Sequence, residues 1–233
     1  MTAKKVSPPP LRLRQMANRL ASAYGPQHWW PAESPFEVVL GAYLTQNTAW
    51  TSVVRSLDNL RRAGALSIDG IAALSLDQLR GLIRPSGFAV RKAAAIKNFV
   101  NLLNAEFGGS LATMAAVPTT ALEQRLLALP GVGPETAGAI LLYALDHPIP
   151  VADEYLRRIV ERHHLLPPPL KKTRRVYEQL VQLTRDGFAP DPPADHRELF
   201  NEFHALTVAV GKAHCGRIAR CAGCPLAADL ENL

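Results

Sequence analysis

Apolar residues recur along this chain at the spacing of helices. In "LRLRQMANRLASAYG", Leu13, Met16, Leu20 and Tyr24 share one face. In "SPFEVVLGAYLTQNT", Ser34 stands as an N-cap with Pro35 at the first helical position, and Phe36, Val39, Leu40, Tyr43 and Leu44 stack behind them. Steps of three and four residues put side chains on one side of a helix, whereas a strand would alternate. A serine before the first turn accepts an orphan amide, and a proline at N1 removes a donor that has no partner there. The same reading predicts helices over 50–63, 76–83, 88–107, 119–128, 134–145, 152–163, 170–186 and 195–211. Prolines gather at 8–10, 148–150, 167–169 and 190–193 and mark connections. The expected fold class is all-α, with about ten short helices. "HPIP" suggests a lobe boundary near 147–150. No repeat of 20–50 residues is visible.

Composition narrows the classes. The chain has 233 residues, 48% of them hydrophobic, which suits a folded globular protein. No apolar run approaches a membrane span, and "MTAKKVSPPPLRLRQ" lacks the apolar stretch of a secretory signal, so a cytoplasmic location is expected. The net charge is +6. Five basic residues precede the first acid, Glu33; "LKKTRR" spans 170–175, and Arg84, Arg91, Lys92 and Lys97 form a third group. Such patches attract phosphate backbones in a salt-dependent way, although solvated helix faces explain the charge alone equally well. The three cysteines all fall between 215 and 224, a crowding that suggests a metal rather than a disulfide framework.

The most informative stretch is "LALPGVGPETAGAILLYALDHPIPVADEYLRRI", residues 127–159. It reads as helix, tight turn, helix. Leu126, Leu127 and Leu129 are expected to pack on one side, and Ile140, Leu141 and Leu142 on the other. Gly131 and Gly133 permit positive φ and close backbone approach, and Pro134 opens the second helix. Turn amides and a helix N-terminus then converge on one point, an arrangement that holds a phosphate without any side-chain charge. A plain glycine turn between two bundle helices is the blander alternative.

This hairpin, followed by Asp153 in "VADEYLRRI", resembles the helix-hairpin-helix DNA glycosylase superfamily that includes endonuclease III. The resemblance covers roughly residues 25–230. "WWP", "LGAYLTQNTAW", "IRPSGFAVRKA" and "GVGPETAGAILLYA" look most like the 3-methyladenine DNA glycosylase III branch. The resemblance implies a two-lobed helical, endonuclease III-like fold. A six-helix barrel-type lobe would span 33–147 and contain the hairpin near 119–145. A second lobe, 1–32 plus 148–233, would carry the cysteine loop, with a DNA cleft between the two. The implied partner is double-stranded DNA with a damaged base, bound by a monomer.

Residue by residue, the resemblance implies a division of labour. Bifunctional relatives carry a lysine at position 135, whose amine forms a Schiff base with the sugar; Glu135 cannot, which implies base removal without strand cleavage. Glu135 also fits as a first-turn acid favoured by the helix dipole. Lys92, Lys97 and Lys212 lie in segments read as outward or distal. Asp153 is the catalytic candidate. It would stabilise positive charge on the sugar or help water attack, and it suits an N-cap as well. Asp146 and Glu154 are weaker alternatives. Trp29, Trp30 and Trp50 would surround the base, holding a cationic alkylated purine by stacking and cation–π attraction, with core packing the alternative for each. Gln46 would fill the gap left when the nucleotide flips out.

"CGRIARCAGCPLAADL" is nearly an iron–sulfur loop. The family pattern is C-x6-C-x2-C-x5-C; here Cys215-x5-Cys221-x2-Cys224 is one residue short, and Leu230 occupies the fourth position. A four-iron, four-sulfur cluster with Asp229 or His214 as fourth ligand, and a metal-free remnant, both remain open. Neither is needed for catalysis. The resulting expectation is a monofunctional DNA glycosylase of base-excision repair. It would hydrolyse the N-glycosidic bond of alkylated purines such as 3-methyladenine. A mismatch glycosylase acting on adenine, uracil or thymine is one alternative, and a non-catalytic hairpin DNA-binding protein is another.

Overall fold

A computed structural model describes residues 7–230, so Lys4 and Lys5 of the N-terminal segment lie outside the described residues. Polar caps start many of the helices. Ser34, Ser67, Ser75, Ser110 and Thr173 each accept a backbone N–H two or three residues into the helix that follows, and Ser75 and Gln78 form a reciprocal capping box. Among the described residues there are thirteen α-helices: α1 (Pro9–Tyr24), α2 (Pro35–Leu44), α3 (Trp50–Arg62), α4 (Ile68–Ala73), α5 (Leu76–Leu82), α6 (Ala89–Phe107), α7 (Leu111–Ala115), α8 (Thr119–Ala128), α9 (Pro134–Ala139), α10 (Glu154–Arg162), α11 (Arg174–Phe188), α12 (His196–Ala213) and α13 (Ala227–Leu230). β-Structure among them is one isolated bridge, Cys215 with Ala219. The all-α expectation holds.

Differences from the predicted elements have local causes. The short helices α4, α7 and α13 are too brief to show a period. The element predicted over 134–145 is α-helical only to Ala139 and continues as a π-helical turn, Ile140–Ala144. The helix predicted from 170 begins at Arg174, where Thr173 supplies the cap. In α8, Leu122 and Leu126 form the buried face, while Leu127 and Leu129 are only half-buried.

The chain divides into two compact units. One takes in residues up to Trp29 and again from Pro148; the other is Trp30–His147. In the second, α2 is buried from Phe36 to Leu44 and packs against α3, α6, α9 and the π-helical turn. Tyr43 meets Phe99 edge-on there, with ring centroids 6.1 Å apart. In the first, α1 packs on α11 and α12, and α10 packs on α12. That last packing requires Gly211: an added Cβ would lie 2.2 Å from Tyr155 Cδ1. α10 is thereby seated closely on α12. A buried ion network ties the ends of this unit, with Arg12 donating to both oxygens of Asp229 at 3.1 and 2.6 Å and His163 Nδ1 2.9 Å from the same carboxylate. Among the described residues no helix is long and apolar enough to cross a membrane.

Candidate active site and DNA-contacting turns

The hairpin joins α8 to α9 through Leu129–Gly133. Gly131 has φ +84, the left-handed region that favours glycine, and a Cβ there would sit 3.2 Å from Ala95 Cβ. Gly133 differs from expectation: its φ of −104 is open to any residue. A Cβ at Gly133 would meet nothing within 4 Å, so its packing within the fold does not demand glycine. Gln46 lies on the turn after α2, and its Nε2 donates to Gly131 O and to Thr136 Oγ1, both at 2.9 Å. The wedge candidate thus rests on the hairpin. Glu135, next to Thr136, is exposed in the first turn of α9.

The aromatic candidates fall into two groups. Trp30 meets Trp50 edge-on at 5.5 Å and lies tilted to Tyr143 at 5.2 Å. Gly41 lets the indole approach α2, since a Cβ there would be 3.3 Å from Trp30 Cζ2. Trp29 belongs to the other unit, where Lys212 Nζ lies 5.5 Å from its ring centroid. Two of the lysines expected to point outward or to lie distant are placed otherwise. Lys212 sits over a candidate pocket ring because it ends the last turn of α12. Lys92 is buried, with 3% exposure, because carbonyls rather than water receive its ammonium. Sequence reasoning also passed over Tyr143 and Phe88. The latter is 60% exposed at φ +48, an unfavourable conformation for an aromatic residue. Its place after Gly87 in "SGFAV" was the available signal.

Asp153 caps α10: its Oδ1 accepts from Leu156 N at 2.8 Å, and the residue is 6% exposed. His204 of α12, equally buried, places Nε2 3.9 Å from Asp153 Oδ2. Burial pushes the Asp153 carboxyl up to about 6, against the opposing pull of backbone amides and Arg158. Burial also pushes His204 down to about 4, leaving it neutral at pH 7. The adjacent Glu154 has the opposite environment. Arg157, Arg158 and Lys172 all lie within ion-pair distance. Partial burial pushes its carboxyl up, but Arg157 and Lys172 outweigh that and hold it down at about 2. Asp146 is exposed at φ +56 in the other unit. Asp153 is therefore a carboxylate that ionises near neutrality without being committed to a cation.

The cysteine loop does not fit a four-cysteine cluster. Leu230 offers no donor, and Asp229 is already shared by Arg12 and His163. His214 Nδ1 lies 3.0 Å from the carbonyl of Arg220. Cys215 Sγ accepts from Arg162 Nη1 at 2.9 Å, and Arg162 also donates to the carbonyls of Gly216 and Arg217. Burial raises the Cys224 thiol pKa, and the neighbouring Cys215 and Cys221 raise it further, which places the three sulfurs close to one another. Among the described residues no group of three or more His, Cys, Asp or Glu side chains could hold a metal ion.

The chain as a whole is similar to known proteins. Residues 40–185 match the model of the HhH-GPD superfamily base excision DNA repair proteins, and the chain belongs to that family. It is 38% identical over 209 residues to the Methanocaldococcus jannaschii protein named "Putative DNA repair glycosylase MJ1434", covering 89% of this chain and 90% of that protein. It is 27% identical over 199 residues to the thymine-DNA glycosylase of Aeropyrum pernix, covering 85% and 82%. The structure resembles that of H. pylori 3-methyladenine DNA glycosylase (MagIII) bound to 1,N6-ethenoadenine, with TM-score 0.74 and 25% identity over 86% of this chain and 97% of that one. The protein is a DNA glycosylase, a hydrolase of N-glycosidic bonds, and its partner is DNA containing a damaged base.

Proposed function

We propose that the protein removes alkylated purines from duplex DNA and leaves the abasic strand uncut. The observation that carries this reading is the Trp30–Trp50–Tyr143 cluster. A 3-alkylated purine is cationic and already a good leaving group, so the pocket must hold it rather than protonate it. Electron-rich rings do that by stacking and cation–π attraction. The similarity to the 3-methyladenine DNA glycosylase MagIII of H. pylori points the same way.

The remaining roles follow from chemistry. Asp153, ionised above pH ~6 and free of a tight cation partner, stabilises the sugar as it gains positive charge and accepts a proton from the attacking water. The hairpin amides hold a phosphate, and the empty space at Gly133 admits a backbone oxygen where a side chain would intrude. Gln46 exchanges its bonds to Gly131 and Thr136 for the bases flanking the extruded nucleotide. Glu135 has no amine for imine formation. The protein acts as a monomer, and the chemistry at the sugar requires no metal.

The similar thymine-DNA glycosylase supports a second reading, release of thymine from a mismatch. One panel separates the two. Duplexes containing 3-methyladenine, 7-methylguanine, uracil, thymine opposite guanine, or adenine opposite guanine are incubated with excess protein, and free base is measured. Release of the alkylated purines is expected. Release of thymine or uracil, with the alkylated bases retained, overturns the proposal in favour of the second reading.

A further inference from the structure

Lys92 lies in the first turns of α6 with its ammonium in the protein interior. Nζ donates to Leu44 O at 2.7 Å, to Thr48 Oγ1 at 2.8 Å and to Ser86 O at 2.8 Å. Among the described residues no carboxylate pairs with it, and burial pushes the group down to about 8. A cation held only by neutral oxygens is expensive to bury, so the site is demanding on its partners.

Those partners come from two places. Leu44 and Thr48 belong to the end of α2 and the turn after it, the turn that carries Gln46. Ser86 closes the short 3-10 turn Arg84–Ser86 that leads into Phe88. The same two segments are joined again by Thr48 Oγ1, which donates to Ser86 O at 2.6 Å. Behind them the Ser56 and Ser86 hydroxyls lie 2.7 Å apart, inside the core. The Leu44 carbonyl is one of the last of α2, where a positive charge also meets the negative end of the helix dipole. No single neutral side chain could donate to all three oxygens at once.

We infer that Lys92 is a positioning residue that fixes the Gln46 turn against the Arg84–Ser86 turn, so that Gln46 enters the duplex from a preset place. The inference rests on the reading of Gln46 as the group that fills the gap left by the flipped nucleotide. Its consequence is selective. A gap exists only in a duplex, so loosening the turn impairs extrusion from a duplex and spares a target that is already unstacked.

The test is single-turnover release of a base that the wild-type protein excises, placed in duplex and in single-stranded DNA of the same sequence. The variants are Gln46→Ala, Lys92→Met and Thr48→Val. Gln46→Ala and Lys92→Met should each lose roughly 10-fold on the duplex and less than about 2-fold on the single strand; for Lys92→Met that size matches the loss of a charge-assisted hydrogen bond. Thr48→Val keeps the ammonium, removes one of its acceptors together with the Thr48–Ser86 bond, and should give the same split at smaller size. If Lys92→Met does not fold, Lys92→Gln, neutral and with two donors, takes its place. Equal loss on both substrates, or no loss, in Lys92→Met and Thr48→Val overturns the role of Lys92, provided that Gln46→Ala retains its duplex-specific loss. Without a duplex-specific loss in Gln46→Ala, the wedge reading itself fails and the role of Lys92 falls with it.

Discussion

Asp153 and Glu154 are neighbours at the start of one helix and live in opposite environments. Glu154 is surrounded by Arg157, Arg158 and Lys172, with the Tyr177 hydroxyl also donating to it at 3.3 Å. Asp153 turns inward to a neutral imidazole and the amides of its own cap. The first is a carboxylate used for stability, held at about 2; the second is held up at about 6 at a cost in stability. In the proposed function, the carboxylate that meets charge developing on the sugar is the one without a close arginine ion pair. The difference between adjacent residues separates structure from chemistry more sharply than residue type does.

The largest expected effect breaks the pair chemically. Asp153→Asn keeps the cap and the shape but removes the charge, and should slow base release by on the order of 10²-fold or more while damaged DNA still binds. Glu154→Gln should release base at close to the wild-type rate. Single-turnover kinetics of the two variants check this, and near-normal turnover by Asp153→Asn would remove the assignment.

A third carboxylate sharpens the contrast. Asp229 is buried like Asp153 but paired like Glu154, with Arg12 and His163. Asp229→Ala leaves Arg12 buried without its partner and should cost about 3 kcal/mol or more, read by denaturant unfolding. If this network and Arg162 hold the C-terminal loop, an iron chelator should change neither stability nor activity of the wild-type protein. About four irons per chain in anaerobically purified protein, with activity lost on their removal, would contradict that.

Thermal stability gives a smaller and opposite pair of shifts. The folded-state pKa of Asp153 is raised, so ionising it costs stability as pH rises from the ordinary carboxylate value through about 6. Asp153→Asn should therefore be the more stable protein at pH 7, by about 1–3 kcal/mol. Glu154 is depressed, so its contribution is present above its ordinary value near 4.5 and lost as pH falls toward 2. Partial exposure limits the Glu154→Gln loss at pH 7 to about 1 kcal/mol. Melting curves at pH 4 and pH 7 should show the Asp153→Asn advantage only at the higher pH.

Much of this was legible in the sequence because it depends on local pattern. The long helices follow from three- and four-residue spacing, the Ser34–Pro35 start from cap chemistry, and the hairpin from its glycines and Pro134. What could not be read depends on tertiary contacts. Nothing around Lys92 in the chain says that its ammonium meets Leu44, or that Lys212 comes over Trp29 from far along the sequence. Half of the contrast between Asp153 and Glu154 is local, since Arg157 and Arg158 follow Glu154 by three and four residues in "DEYLRR"; the other half, the burial of Asp153 beside α12 and the approach of Lys172, is tertiary. Gly133 reads the same as Gly131 in "GVG", yet only Gly131 uses its backbone freedom.

In the proposed function a carboxylate, and no amine, carries the reaction at the sugar. Lys212 is the amine to watch, since it lies beside Trp29 in the same unit as Asp153. The direct measurement is borohydride trapping by the native protein on a duplex carrying an excisable base, with the strand analysed before and after alkali. The account predicts released base, no covalent protein–DNA adduct, and a strand that breaks only after alkali. A robust adduct, mapped by peptide sequencing to Lys212 or another amine, would contradict it.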